Sequence, residues 1–157
     1  MVFVRFLMML SLVAWIGGII FFSVLAPTSF SVLPTRHLAG MLVGSMLSKL
    51  HWIGIGAGLI FLSSSLASFY FQTGTAHAFA IRHLLICLML VLTVVSQFSV
   101  LPKMTALRSA MGDVDSVADK DPVRLEFNTL HAWSTRLEGG TLLLGLIVIY
   151  LTARQPA

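Results

Sequence analysis

Four long apolar runs, separated by short polar segments, limit what this chain can fold into. The runs cover residues 3–26, 50–71, 81–101 and 133–152. Each run is long enough to cross the roughly 30 Å of hydrocarbon in a lipid bilayer. A backbone in lipid must satisfy its hydrogen bonds internally, so we predict four transmembrane helices. With short connections between them, residues 1–157 form one integral membrane domain, an all-α four-helix transmembrane bundle.

The composition agrees with this prediction. Only 10% of the residues are charged and 57% are apolar, whereas soluble domains carry about 25% charged residues. The predicted partner is therefore the lipid bilayer. The net charge of +4 comes from Lys and Arg residues scattered at the ends of loops. A scattered pattern of this kind does not indicate nucleic-acid binding.

The distribution of these basic residues predicts an orientation. The two termini share one side of the membrane, and that side has Arg5, Arg82 and Arg154. The opposite side has Arg36, Lys49, Lys103, Arg108, Lys120 and Arg124. Because basic residues are enriched on the cytoplasmic side, we expect the first and third loops in the cytoplasm and both termini outside.

The stretch from residue 127 to 140 carries three ionisable side chains into the fourth apolar run. These are His131, Arg136 and Glu138. A carboxylate inside a membrane helix costs on the order of 3 kcal/mol and therefore needs a partner or a purpose. Helical spacing puts His131 and Glu138 on one face and Arg136 almost opposite, as a structural residue. We predict an inward-facing polar site; the alternative is that Glu138 and His131 serve packing alone.

The need for a partner also predicts that Glu138 is charged. We expect its carboxylate to be ionised, because Lys49 and His51 enter the membrane at nearly the same depth. Arg136 of a neighbouring protomer and protonated His131 are further candidate partners. Under this hypothesis Glu138→Gln leaves a buried cation uncompensated and costs roughly 3–5 kcal/mol.

Four polar residues lie within about two helical turns of the predicted cytoplasmic face. The predicted ligand-binding residues are His51, Gln97, His131 and Glu138. We interpret the chain as a non-enzymatic bundle, without catalytic residues, that binds or conducts a small polar or cationic species, a metal ion included. A bundle this small predicts a homo-oligomer or a membrane-complex subunit if it transports. The alternative is a polar cluster that only specifies helix packing.

Two further classes of function stay open. His83 and Cys87 are spaced by one helical turn and can both contact a soft metal ion such as Cu(I). A redox protein with haem or copper would use His51, His83 or His131 as ligands. The third class is an accessory subunit of a membrane complex. Cys87 is the single cysteine, so no intramolecular disulfide can form.

Several residues have predicted structural roles. Trp15 is at mid-depth and is expected to face the bundle, and the predicted tight helix contacts are at Gly17, Gly18, Gly54 and Gly58. Pro27 is expected to end or kink the first span, and Pro102 to end the third. Residues 37–49 are predicted as an amphipathic helix in the membrane plane. Asp121 and Pro122 predict the cap and first residue of the last helix.

Two motifs resemble a known family. One is Trp-Ile-Gly-Gly at residues 15–18, followed by Pro27 and Phe30, and the other is Phe-x-x-Leu-His-x-x-Ser-x-x-Leu-Glu at residues 127–138. Both are similar to the transmembrane-protein-205-like family, whose bacterial members form a domain of unknown function. This resemblance implies four membrane helices, no established enzymatic activity and a location in the bacterial inner membrane. The chain is also distantly similar to copper-resistance-D-like and haem-binding protoporphyrinogen oxidase bundles. Those bundles carry a histidine in span 1, where this chain has Met8 and Met9.

Overall fold

The helices are longer than the apolar runs that predict them. The computed structural model describes residues 2–73, 81–112 and 116–154. In chain order the elements are α1 (Val2–Val32), α2 (Arg36–Thr73), α3 (Ile81–Val95), a π-helical turn (Ser96–Val100), α4 (Leu101–Met111) and α5 (Pro122–Ala153). Four continuous helical stretches are long and apolar enough to cross a membrane. The described residues contain no strand, and the all-α four-helix fold is confirmed.

Two predicted boundaries are wrong. Pro27 lies inside α1, which continues to Val32, and residues 37–49 belong to the single helix α2 and do not form a separate one. Pro27 removes only one backbone donor, and membrane helices tolerate that loss where neighbouring groups compensate. The helices therefore extend well beyond the predicted spans at this end of the bundle. The predicted N-cap is confirmed, because the Asp121 carboxylate accepts hydrogen bonds from the backbone N–H groups of Val123 and Arg124.

The helix of the third span does not end at Pro102, and a π-turn just before the proline lets it continue. The N–H of Leu101 donates to the carbonyl of Ser96, which is the wide spacing of a π-turn. In a regular α-helix the ring of Pro102 would collide with the carbonyl of Phe98, four residues earlier. A wider turn immediately before the proline gives that carbonyl room, so the chain continues as α4. Gln97 lies in this turn.

The core is centred on Trp15, which is only 2% exposed. A Cβ added at Gly54 would lie 2.4 Å from Trp15 Nε1, and one added at Gly58 would lie 2.8 Å from Trp15 Cζ3. Trp15 thus lies inside the bundle, and both glycines pack directly against it. Gly18 is equally tight against Leu50, whereas Gly17 has no atom within 4 Å of an added Cβ. This packing fixes how α1 and α2 meet.

Candidate functional site

A buried histidine links three helical segments. His51 on α2 is 1% exposed, and its ring lies between Gln97 of the π-turn and Glu138 of α5. The Nδ1 atom lies 2.8 Å from Gln97 Oε1, and the Nε2 atom lies 2.6 Å from Glu138 Oε1. His51 shares its buried face with Gly54 and Gly58, which is the face that meets Trp15.

The orientation of the Gln97 amide determines the tautomer of His51. Gln97 Nε2 donates to Ser48 Oγ at 3.1 Å, so Oε1 is the atom that faces His51. A carbonyl oxygen can only accept, and therefore His51 Nδ1 carries a proton. The contact between Nε2 and Glu138 Oε1 then holds one further proton, on one atom or the other. In both arrangements the pair as a whole is neutral, which limits the cost of burying it.

Glu138 is the member of this cluster that reaches open space. Its side chain is 15% exposed and lines a cavity of about 610 Å³ between α1, α2, α4 and α5. That volume lies within the roughly 300–1,000 Å³ typical of small-molecule sites. Glu138 Oε2 makes no hydrogen bond to any residue that the structure describes. Oε1 is thus held by His51, and the side chain that carries Oε2 lines the cavity.

His131 lines the same cavity but does not join the cluster. Its ring is parallel to that of Phe127, with the centroids 6.4 Å apart, and its side chain is exposed. The structure therefore brings together three of the four predicted ligand-binding residues, His51, Gln97 and Glu138, and places the fourth, His131, further along the cavity.

Sequence reasoning missed two residues, one in the polar cluster and one in the cavity wall. Ser48 precedes His51 by almost one helical turn on the same face, and that spacing is the signal that would have found it. Arg108 of α4 lines the cavity. A Cβ added at Gly40 would lie 3.0 Å from its Nε atom, and one added at Gly44 would lie 3.3 Å from its Nη1 atom. The two glycines four residues apart therefore accommodate an arginine and not a helix backbone.

The remaining candidate residues lie elsewhere. His83 is buried with Nε2 2.7 Å from Ser65 Oγ, whereas Cys87 is exposed, so this pair does not converge. Within the described ranges no three His, Cys, Asp or Glu side chains are grouped to hold a metal ion. The Arg136 guanidinium lies 5.5 Å from the centroid of the Trp133 ring and does not contact Glu138.

The fold and site together define a class: a four-helix integral membrane protein with a buried polar cluster that borders a cavity. The chain belongs to the family described as a domain of unknown function (DUF4149), whose profile matches residues 10–113. The matched part contains His51 and Gln97, and Glu138 lies beyond it. No curated protein and no solved structure matches the chain.

Proposed function

We propose that this protein binds an organic cation in the cavity, with the Glu138 carboxylate as the recognition group. The observation that carries the proposal is at Glu138, whose Oε1 atom is held by His51 and whose side chain lines the cavity. A fixed carboxylate in an apolar cavity attracts a cation strongly because little water screens the charge. The walls are mostly apolar, including Phe22, Leu101 and Leu142, and they favour an organic cation over a hydrated metal ion.

The cation binds beside the proton that the pair shares and does not replace it. His51 and Glu138 share one proton between Nε2 and Oε1. Without that proton two acceptor atoms would face each other at 2.6 Å, and His51 would no longer hold Oε1. The cation therefore contacts Oε2 while Oε1 keeps its hydrogen bond to His51.

The arrangement favours binding over conduction through a single bundle. On the far side of His51 the core is filled by large side chains, among them Trp15, Phe61 and Met89. Along α2 from His51, the next hydrogen bond between side chains of different helices in the described residues joins Ser65 and His83. Ser65 lies fourteen residues from His51, which is about 21 Å at the helical rise. The polar cluster therefore borders a cavity on one side and a mainly apolar core on the other.

The residues that carry the family resemblance lie around the same cavity. Phe127, His131, Ser134 and Glu138 belong to the motif that is similar to the transmembrane-protein-205-like family, and all four line the cavity. Pro27 and Phe30 from the first motif line it too. The most specific sequence features thus converge on one space formed by α1 and α5.

The test is titration of the purified protein, in a neutral detergent, with a series of alkyltrimethylammonium ions. The matched ligands are the alkanols of equal chain length, which keep the apolar body without the charge. We expect the ammonium ions to bind at least about tenfold more tightly than the alkanols.

Two variants separate recognition from stability. The amide introduced by Glu138→Gln can donate to His51 Nε2, so we expect a stability within about 1 kcal/mol of the wild type and loss of the ammonium preference. Glu138→Ala leaves Nε2 without a partner and should also lower stability, by about 1–3 kcal/mol. Unchanged ammonium binding by Glu138→Gln, or equal binding of ammonium ions and alkanols by the wild type, would overturn the proposal.

A further inference from the structure

The cavity has a second polar end, distant from Glu138, that is lined by two arginines. Arg36, the first residue of α2, and Arg108 of α4 both line it. The Arg108 guanidinium lies 5.4 Å from the centroid of the Phe127 ring. Among the described residues no carboxylate lies within ion-pair distance of Arg108. A partly buried guanidinium with this much donor capacity attracts an anionic group.

The two polar ends are separated by the same distance on three helical segments. Gly40, Arg108 and Phe127 mark the arginine end, and each is eleven residues from the cluster member on its own segment, His51, Gln97 and Glu138 respectively. Eleven residues of helix correspond to about 16 Å. Between the ends the cavity wall is apolar, with Val43, Leu47 and Met104 along its length. The cavity is therefore elongated, with arginines at one end, Glu138 at the other and an apolar wall between them.

We infer that the arginine end of the cavity, formed by Arg108 and Phe127 and bordered by Arg36, binds the anionic headgroup of an elongated amphiphile whose apolar chain lies along this wall. A phosphate or carboxylate suits the planar, multiply donating guanidinium, and basic pockets between membrane helices commonly hold lipid headgroups. The inference uses the cavity of the proposed function but not the charge of Glu138. The cation proposal and the headgroup inference can therefore be overturned independently.

Gly40 and Gly44 allow Arg108 to pack closely against α2. A methyl group at Gly40 would meet Arg108 Nε at 3.0 Å and force the side chain to move. With glycine at positions 40 and 44, the guanidinium packs against the surface of α2 while its side chain borders the cavity. Gly40→Ala therefore shifts the guanidinium by a few tenths of an ångström without removing its charge, and so tests the position of Arg108 separately from its charge.

Native mass spectrometry from a neutral detergent tests the inference with matched ligands. Palmitate is compared with hexadecanol, and dipalmitoyl phosphatidylglycerol with dipalmitoyl phosphatidylcholine. We expect an anionic member to be retained about tenfold or more over its neutral counterpart. Preference for phosphatidylglycerol alone identifies a bilayer lipid as the source, and preference for palmitate alone identifies a free single-chain amphiphile. Equal retention within both pairs overturns the inference.

The protein variants make the assignment to Arg108 specific. Arg108→Gln should remove most of the anionic preference, whereas Lys103→Gln, an exposed position on the same helix, should leave it intact. Gly40→Ala should weaken the preference, and Gly17→Ala, which meets no atom within 4 Å, is its control. Glu138→Gln should retain anionic binding while losing the ammonium preference. If Arg108→Gln and Lys103→Gln behave alike, the headgroup site is not at Arg108.

Discussion

At the scale of single residues, His51 is the side chain that joins three helical segments of the bundle. Its two ring nitrogens are both engaged, one by an amide and one by a carboxylate, and the ring is almost fully buried. The partner of Glu138 is thus a titratable imidazole and not Lys49. This identity changes the expected cost of Glu138→Gln, because an imidazole can give up its proton when the carboxylate is replaced. A permanently charged partner could not do so.

We therefore expect His51→Phe to destabilise the bundle more than any change at Glu138. The substituted ring keeps the volume but leaves the Gln97 amide and the Glu138 carboxyl without their partner, a loss of about 3–5 kcal/mol if the carboxylate stays charged. His131→Phe is the matched control, because its ring is exposed and stacks on Phe127. Thermal unfolding in detergent measures both. Equal melting temperatures for the two variants would mean that the His51 contacts contribute little to stability.

At the scale of helices, two local features set the register of the bundle. Trp15 packs into the groove left by Gly54 and Gly58, and this contact fixes the rotation of α1 against α2. The π-turn before Pro102 keeps α3 and α4 continuous and carries Gln97 at the level of His51. Wide turns of this type are frequent at functional sites because they change where one side chain points.

The glycine groove gives a prediction at this scale. Gly58→Ala would place a Cβ 2.6 Å from Leu90 Cδ2 and 2.8 Å from Trp15 Cζ3, and such overpacking costs about 1–3 kcal/mol. Gly17→Ala introduces the same methyl group where no atom lies within 4 Å, so we expect it to be neutral or slightly stabilising. The measurement is the unfolding midpoint of each variant in the same detergent. A stable Gly58→Ala protein would show that the groove can open at no cost.

At the scale of the whole molecule, the exposed surface is apolar over most of its length. Large hydrophobic side chains such as Phe6, Val24, Ile60, Leu84 and Ile147 lie on the outside. Such a surface is expected for helices that face lipid tails. The cavity end of the bundle also carries Arg36, Lys49, Lys103 and Arg108, and this clustering is the basis for predicting that it faces the cytoplasm.

The orientation can be tested with one introduced cysteine. Cys87→Ala first removes the single native thiol, and Ser116→Cys then places a thiol in the loop before α5. We expect a membrane-impermeant thiol reagent to leave this cysteine unlabelled in intact cells and to label it after the membrane is opened. Labelling of intact cells would reverse the topology and place the cavity end outside.

The sequence by itself determined the number of helices and the faces that they bury. Helical spacing put His51 on the face of Gly54 and Gly58, and Glu138 on the face opposite Arg136, because a side chain's direction within one helix follows from the 3.6-residue period. It also marked the start of α5 through Asp121, whose carboxylate caps it.

Only the tertiary structure decided which of these residues meet. Contacts between helices depend on their mutual rotation and offset, and those follow from how side chains such as Trp15 pack against glycines. The same packing made His51 the partner of Glu138 in place of Lys49, left His131 on Phe127, and brought Arg108 over Gly40. The continuation past Pro102 was decided by a local change of helix type, which apolar periodicity does not report. The sequence thus set the direction of each side chain on its own helix, and packing between the helices set its neighbours.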